Sequence, residues 1–264
     1  MRRPRAKRAE PAGYFAPPLP RLLAHRGLAT TEVENTIPAF RAAVDRGATY
    51  VECDVHASSD GVAVVAHDPS LTRLLGSDQT IGGLTAARLA AIDLGAGCGF
   101  PTLEDALTAL PGTFFNIDVK ADAAAAPAAA AIRACGATHR VLVTSFSNRR
   151  RRAAVRLLPG VATSASARTF ALALVAGRLR LAPVVRWVLR NVDAVQVPET
   201  ALGLRVTTPR LLAMIHSAGV EMHVWTINDP VRMAELLALG VDGIVTDRVD
   251  LALGLIAETK RKRL

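Results

Sequence analysis

The run YVECDVHASSDGVAVVAHD, Tyr50 to Asp68, decides how this 264-residue chain is read. With the two-residue period of a strand, Tyr50, Glu52, Asp54 and His56 fall on one face and Val51, Cys53 and Val55 on the other. Two carboxylates therefore point the same way. A polar Ser58-Ser59-Asp60-Gly61 tip follows, then Val62, Val64 and Val65 and a closing His67-Asp68, which is the pattern of a hairpin. Folded about Ser59 and Asp60, it returns His67 roughly opposite Glu52, so one short segment gathers two acids and an imidazole.

Outward from this hairpin the chain alternates strands with helices. Before it stand a short strand at RLLAHRG and a helix in TEVENTIPAFRAAVDRGA, with Asn35 or Thr36 as cap, Pro38 in its first turn and Gly47 past its end. After it, residues 69 to 100 read as an inserted excursion with a short helical piece, and Thr102 with Asp105 forms an approximate capping box for the return helix. TFFNIDVK is then a strand with Asn116, Asp118 and Lys120 on one face. Further strands are expected from 140, 160, 193, 221 and 241, with helices at 122–135, 148–158, 208–218 and 230–239. Counting those from 21, 50 and 114 there are eight βα units, the specification of a TIM (β/α)8 barrel with a protruding hairpin and a small inserted segment. A doubly wound open sheet is the alternative, because strand count does not show closure.

Composition bounds the class. Half the residues are apolar and only 4% aromatic, so Ala, Leu and Val carry the burial, as in a parallel sheet wrapped by Ala-rich helices. The net charge of +9 is matched by nine basic residues at the ends, Arg2, Arg3, Arg5, Lys7, Arg8, Lys260, Arg261, Lys262 and Arg263. The body between is neutral, which argues against nucleic-acid binding. Residues 1–19 are expected as a flexible basic, Pro-rich tail, 20–257 as the barrel domain and 258–264 as a second basic tail. Cys53, Cys98 and Cys135 suggest neither a disulfide framework nor a zinc site and fit a reducing cytoplasm. No apolar run of the signal-peptide kind follows the basic N-terminus. Residues 170–192 read as two amphipathic helices broken at Pro183, forming a lid or helical layer or else an interfacial membrane contact, for which the basic tails are the other candidate.

In a barrel of this type the residues at the carboxyl ends of the strands meet at one mouth, here His25, Glu52, Asp54, Asp118, Lys120, Thr144, Gln196, Trp225 and Asp247. Three converging acids need compensating charge, and an all-oxygen donor set favours Mg²⁺ or Ca²⁺ over zinc, although Lys120 and Arg26 alone are a second way to neutralise them. Two imidazoles beside such a centre suit phosphodiester cleavage, one removing a proton and one supplying one. His56, His139, His216 and His223 lack that setting and are expected to be surface or structural.

AHRG at 24–27, ENT at 34–36 with AF at 39–40, VECDV at 51–55, DGVAVVAHD at 60–68 and FPTLEDAL at 100–107 occur in order, followed by NIDVK at 116–120, SF at 145–146, WTIN at 225–228 and DGIVTD at 242–247. Together they resemble the glycerophosphodiester phosphodiesterase family over about residues 21–250. The resemblance implies a TIM barrel with a small insertion, and hydrolysis of glycerophosphodiesters to sn-glycerol 3-phosphate and an alcohol. It further implies a catalytic pair at His25 and His67, metal ligands at Glu52, Asp54 and Asp118, phosphate contacts from Arg26 and Lys120, and a wall at Trp225. Asp118 stands where the family usually has Glu, which bears on the identity of the cation. Lysophospholipase D-type hydrolysis and a non-catalytic barrel binding a phosphoryl ligand are the alternatives.

Overall fold

A computed structural model describes residues 13–95 and 97–261. Its strands are β1 (Arg21–Ala24), β2 (Tyr50–Ala57), β3 (Ala63–Val65), β4 (Phe114–Val119), β5 (Val141–Thr144), β6 (Ala162–Thr163), β7 (Ala194–Val197), β8 (Thr200–Ala201), β9 (Leu204–Arg205), β10 (Glu221–Val224) and β11 (Gly243–Thr246). One sheet runs β6-β5-β4-β2-β1-β11-β10-β7, and the pairs along it are parallel. Its two ends meet at the parallel bridge Ser164–Ala194, flanked by bonds from Asp193 N–H to the Thr163 carbonyl (2.8 Å) and from Ala165 N–H to the Ala194 carbonyl (2.9 Å). The sheet is therefore a nearly closed eight-stranded parallel barrel. An open doubly wound sheet would leave those two edges apart.

The alternation in each strand sorts two cores. Outward residues such as Val51, Cys53, Val55, Phe115, Ile117 and Val119 join the large apolar layer under the helices, where Phe40 meets Phe115 edge to face at 5.9 Å. Inside the bore, Leu23, Tyr50, Leu142, Ala194 and Val245 form a smaller cluster closed from below by Tyr14 and Phe15. Within the stretch expected as a flexible lead-in, Tyr14 and Phe15 are packed: Tyr14 is 2% exposed and meets the Tyr50 ring at 5.1 Å. Residues 1–12 and 262–264 of the expected tails lie outside the described residues, and 258–261 continue the helix Val249–Arg261.

Local signals set most helix ends as expected. Thr36 caps Ile37–Asp45, the Thr102–Asp105 capping box opens Leu103–Ala109, and Thr208 and Asp229 cap Pro209–Ser217 and Pro230–Ala238. In the 170–192 region the break falls earlier than Pro183. Helix Ala167–Arg178 ends before Arg180, whose φ is +62°, and Pro183 sits in the first turn of Ala182–Leu189, where its missing N–H costs nothing. The β6 run is shorter than 160–166, and a two-stranded β8–β9 ribbon stands where the sequence carries no strand signal. Its turn is Leu202-Gly203, with φ of +53° and +70°, and a leucine there gives no turn signal in the sequence.

β3 pairs antiparallel with the far end of β2, Val55 opposite Val65. That register carried on sets His67 across from Cys53, one residue from the position expected. Segment 69–100 folds over the hairpin on its own small core of Val64, Ala66, Leu71, Ile81, Leu89 and Phe100.

Candidate active site

The carboxyl ends of the parallel strands open into a cavity of about 440 Å³ lined by His25, Arg26, Glu52, Asp54, His67, Asp118, Lys120 and Trp225, all eight residues singled out from the sequence. β1 ends in His25-Arg26-Gly27. Arg26 takes a left-handed φ of +56°, which turns its N–H onto Glu52 Oε2 at 3.0 Å. Gly27, at φ +88°, has to be glycine, because a Cβ there would stand 2.6 Å from the Ala39 carbonyl carbon.

The acids are buried and unequally neutralised. Lys120 Nζ bridges Asp54 Oδ1 and Asp118 Oδ2, each at 2.8 Å. Asp54 also accepts from Asn35 Nδ2 at 3.0 Å, and Arg26 Nε approaches its Oδ2 to 3.2 Å at an angle that makes an ion pair without a hydrogen bond. Burial works to raise the Asp54 pKa, but the Lys120 ammonium outweighs it and the carboxyl is held below its ordinary value. Asp118 is raised by burial despite the same ammonium, and its Oδ1 is buried without a hydrogen-bond partner. Glu52 is pushed up to about 8 by burial and then by the charge of Asp54. His25 and Lys120 offset the Glu52 charge only in part, and Asp118 Oδ1 lacks a partner.

The two imidazoles are held alike. His25 Nδ1 donates to Asp247 Oδ1 at 2.6 Å, leaving Nε2 4.0 Å from Glu52 Oε2. Burial works against the charged ring, but the Asp247 bond and the Glu52 charge carry the His25 pKa above its ordinary value. Asp247 is fixed in turn by Asn228 Nδ2 at 2.7 Å. His67 Nδ1 donates to Asp68 Oδ1 at 2.7 Å, and the His67 carbonyl is met by His56 Nε2 at 3.1 Å. Both rings consequently keep Nε2 for the cavity, the use of second partners that fixes a tautomer.

Several supporting residues escaped the sequence reading. Of the two cap candidates, Asn35 and Thr36, it is Thr36 that caps, and the Asn35 amide instead clasps Asp54, donating from Nδ2 to its carboxylate and accepting its backbone N–H at Oδ1. Asp247 was placed at the mouth with no role. Glu34 pairs with Arg26 at 3.1 Å and with Arg73 of the inserted segment, and Arg73 Nε reaches Asp68 Oδ2 at 2.5 Å. His67, Asp68, Arg73, Glu34 and Arg26 therefore form one alternating chain of charge. As expected, His56 and His223 serve structural contacts.

The other half of the cavity is apolar. Phe146, Phe170, Leu174, Val197, Pro198, Leu202 and Trp225 line it, with the Phe146 and Trp225 rings 5.9 Å apart. One side of the space thus suits a charged group and the other a hydrocarbon one.

Among the described residues no group of three or more His, Cys, Asp or Glu stands in metal-holding geometry. The donor set nonetheless fits a hard divalent cation: Glu52, Asp54 and Asp118 supply only oxygen, one of those oxygens lacks a partner, and burial, then the charge of Asp54, raises the Glu52 carboxyl, a cost that a cation there would offset.

A family model described as the glycerophosphoryl diester phosphodiesterase family matches residues 25–251. The chain is 41% identical over 231 residues to a Mycobacterium tuberculosis protein named "Probable glycerophosphodiester phosphodiesterase 2", covering 87% of this chain and 88% of that one. It is 33% identical over 115 residues to a rat lysophospholipase D, covering 39% of this chain and 37% of that one. Among solved structures, an Oleispira antarctica phosphodiesterase in complex with the product sn-glycerol-3-phosphate superposes with a TM-score of 0.73, at 23% identity, over 90% of this chain and 97% of that one.

Proposed function

The chain belongs to the glycerophosphoryl diester phosphodiesterase family and is a glycerophosphodiester-hydrolysing enzyme, and on that premise we propose that it works by two-histidine acid–base chemistry at a divalent cation. The observation that carries the reading is the matched pair of cavity-lining imidazoles, each with Nδ1 held by a carboxylate and Nε2 left unengaged, above an acidic floor.

A glycerophosphodiester would lie with its phosphoryl group over Lys120 and Arg26 and its glycerol against Trp225. His25 Nε2 takes the proton of the glycerol hydroxyl next to the ester, whose oxygen attacks phosphorus while the bond to the alcohol breaks. His67 Nε2 gives that alcohol its proton. The cyclic phosphate left behind is opened by water with the roles exchanged, releasing sn-glycerol 3-phosphate and restoring both rings. Asp247 and Asp68 keep the rings in the right tautomer throughout. Glu52, Asp54 and Asp118 would hold Mg²⁺ or Ca²⁺, which when bound supplies positive charge for the phosphoryl oxygens.

The test is release of glycerol 3-phosphate from a panel of glycerophosphodiesters, with chelator and then Mg²⁺ or Ca²⁺ restored. No release from any member would overturn the activity, and a full rate in chelator would remove the cation while leaving the histidines. A second reading follows from the apolar half of the cavity: a lysophospholipid would fit with its chain along Phe170, Leu174 and Leu202. Lysophosphatidylcholine set against glycerophosphocholine separates the two.

A further inference from the structure

We propose that the helical hairpin formed by Ala167–Arg178 and Ala182–Leu189, with the β8–β9 ribbon, is a docking face for an anionic lipid bilayer. Of the thirteen large apolar side chains exposed among the described residues, six lie between positions 172 and 187 and two more are Leu202 and Leu204. Scattered singly such residues mean little, but here they share one edge of the molecule. Leu172, Val175 and Leu179 recur at helical spacing along the first helix, and Leu181, Val184 and Trp187 carry the line across the turn and along the second. Leu179 is 64% and Trp187 61% exposed, more than packing within the chain requires.

Charge selects the occupant. Residues 167–192 contain Arg168, Arg178, Arg180, Arg186 and Arg190 and no Asp or Glu. All five arginines are exposed, and the Arg190 guanidinium stands over the Trp187 ring at 4.4 Å. Apolar residues fringed by arginine with an indole at the tip suit the boundary between anionic headgroups and acyl chains. A second copy of the chain seated here would bring arginine against arginine, and nucleic acid would gain nothing from the leucines.

The face also adjoins the cavity. The helix that exposes Leu172 and Val175 gives Phe170 and Leu174 to the cavity wall, and Leu202, 70% exposed, belongs to both. A docked molecule would hold the apolar half of its cavity next to lipid, which rests on the reading of that cavity as a diester site, whereas docking itself does not.

The experiment is co-sedimentation of the full chain with phosphatidylcholine vesicles with and without phosphatidylglycerol, alongside tryptophan emission. Binding is expected to the anionic vesicles, with a blue shift that Trp187→Phe removes although Trp225 remains. Arg180→Glu/Arg186→Glu and Val184→Ser/Trp187→Ser should each weaken binding about tenfold or more, while Arg180→Lys/Arg186→Lys retains it. These side chains lie outside the catalytic groups, so hydrolysis of a soluble glycerophosphodiester should be unchanged, which separates failure of docking from failure of the chemistry. Absent binding, equal binding to neutral vesicles, or binding indifferent to the four body positions but lost on removing residues 1–12 and 262–264 would each overturn the proposal.

Discussion

At the amino-terminal end of the barrel every nitrogen of Arg21 is occupied. Nε and one terminal nitrogen grip Glu221 at 2.6 and 2.8 Å, and the Tyr50 hydroxyl and the carbonyls of Pro17 and Phe15 take what remains. His223 adds a bond to Glu221 at 3.1 Å, and through Gln196 and Asn116 the polar contacts climb the bore. At the carboxyl end the same ingredients are out of balance, with Glu52 raised to about 8 and Asp118 Oδ1 without a partner. Burial acts on both clusters, yet Arg21 and His223 hold Glu221 down to about 2. Completed partnership of Arg21 and Glu221 makes that ion pair a support, although the Tyr14 hydroxyl beside it is buried without a partner, and the shortfall above leaves the acids open to further positive charge.

Substitutions should separate the two ends. His25→Ala or His67→Ala is expected to lower kcat by roughly 10²–10⁴-fold with little change in melting temperature. Glu221→Ala should do the reverse, costing about 3–5 kcal/mol of stability in a urea titration while the folded fraction keeps its kcat/KM. Equal damage to stability from both kinds of variant would erase the contrast.

Melting curves in chelator should show the ends responding oppositely to pH. Glu221 is depressed, so its stabilisation is present above its ordinary value near 4.5 and is lost as pH falls toward 2. Glu52 is raised, so its burial costs nothing when protonated and destabilises increasingly as pH climbs from 4.5 toward 8. Glu221→Gln should flatten the acid limb and Glu52→Gln the neutral one. Added Mg²⁺ or Ca²⁺ should raise the melting temperature of the parent protein and not of Glu52→Gln.

Smaller effects should mark the supporting residues. Asp247→Asn, which can present the wrong hydrogen-bonding group to His25, is expected to cost roughly 10–100-fold in kcat and to move the limb of the rate profile set by His25 toward lower pH, since the Asp247 bond raises that ring's pKa. Arg73→Ala should lower kcat a few-fold by loosening His67 and Arg26 together, an effect Arg73→Lys recovers only in part, since one ammonium does not reproduce the guanidinium fork.

What could be read before folding was whatever local spacing encodes. The period-two runs put Glu52, Asp54 and Asp118 on inward faces, and the Gly61 turn brought His67 back to them. Missing were relations that only closure creates. Asp247 meets His25 from 222 residues away, and Arg21 meets Glu221 from 200 away. Choosing between Asn35 and Thr36 as cap was not possible beforehand, because capping and left-handed turns draw on the same residue types and the Asn35 φ of +59° cannot be read from composition. Tyr14 and Phe15 were hidden among prolines that look like a tail until the bore they stopper is seen.

The barrel's ring is sewn most sparsely where the two-residue β6 meets β7, and the helix from Ala167 that walls the apolar half of the cavity leaves the sheet from that join. At that join the fewest backbone bonds coincide with a wall of the cavity, while the gripped acids and imidazoles stand on or just past β1, β2, β3 and β4, across the ring.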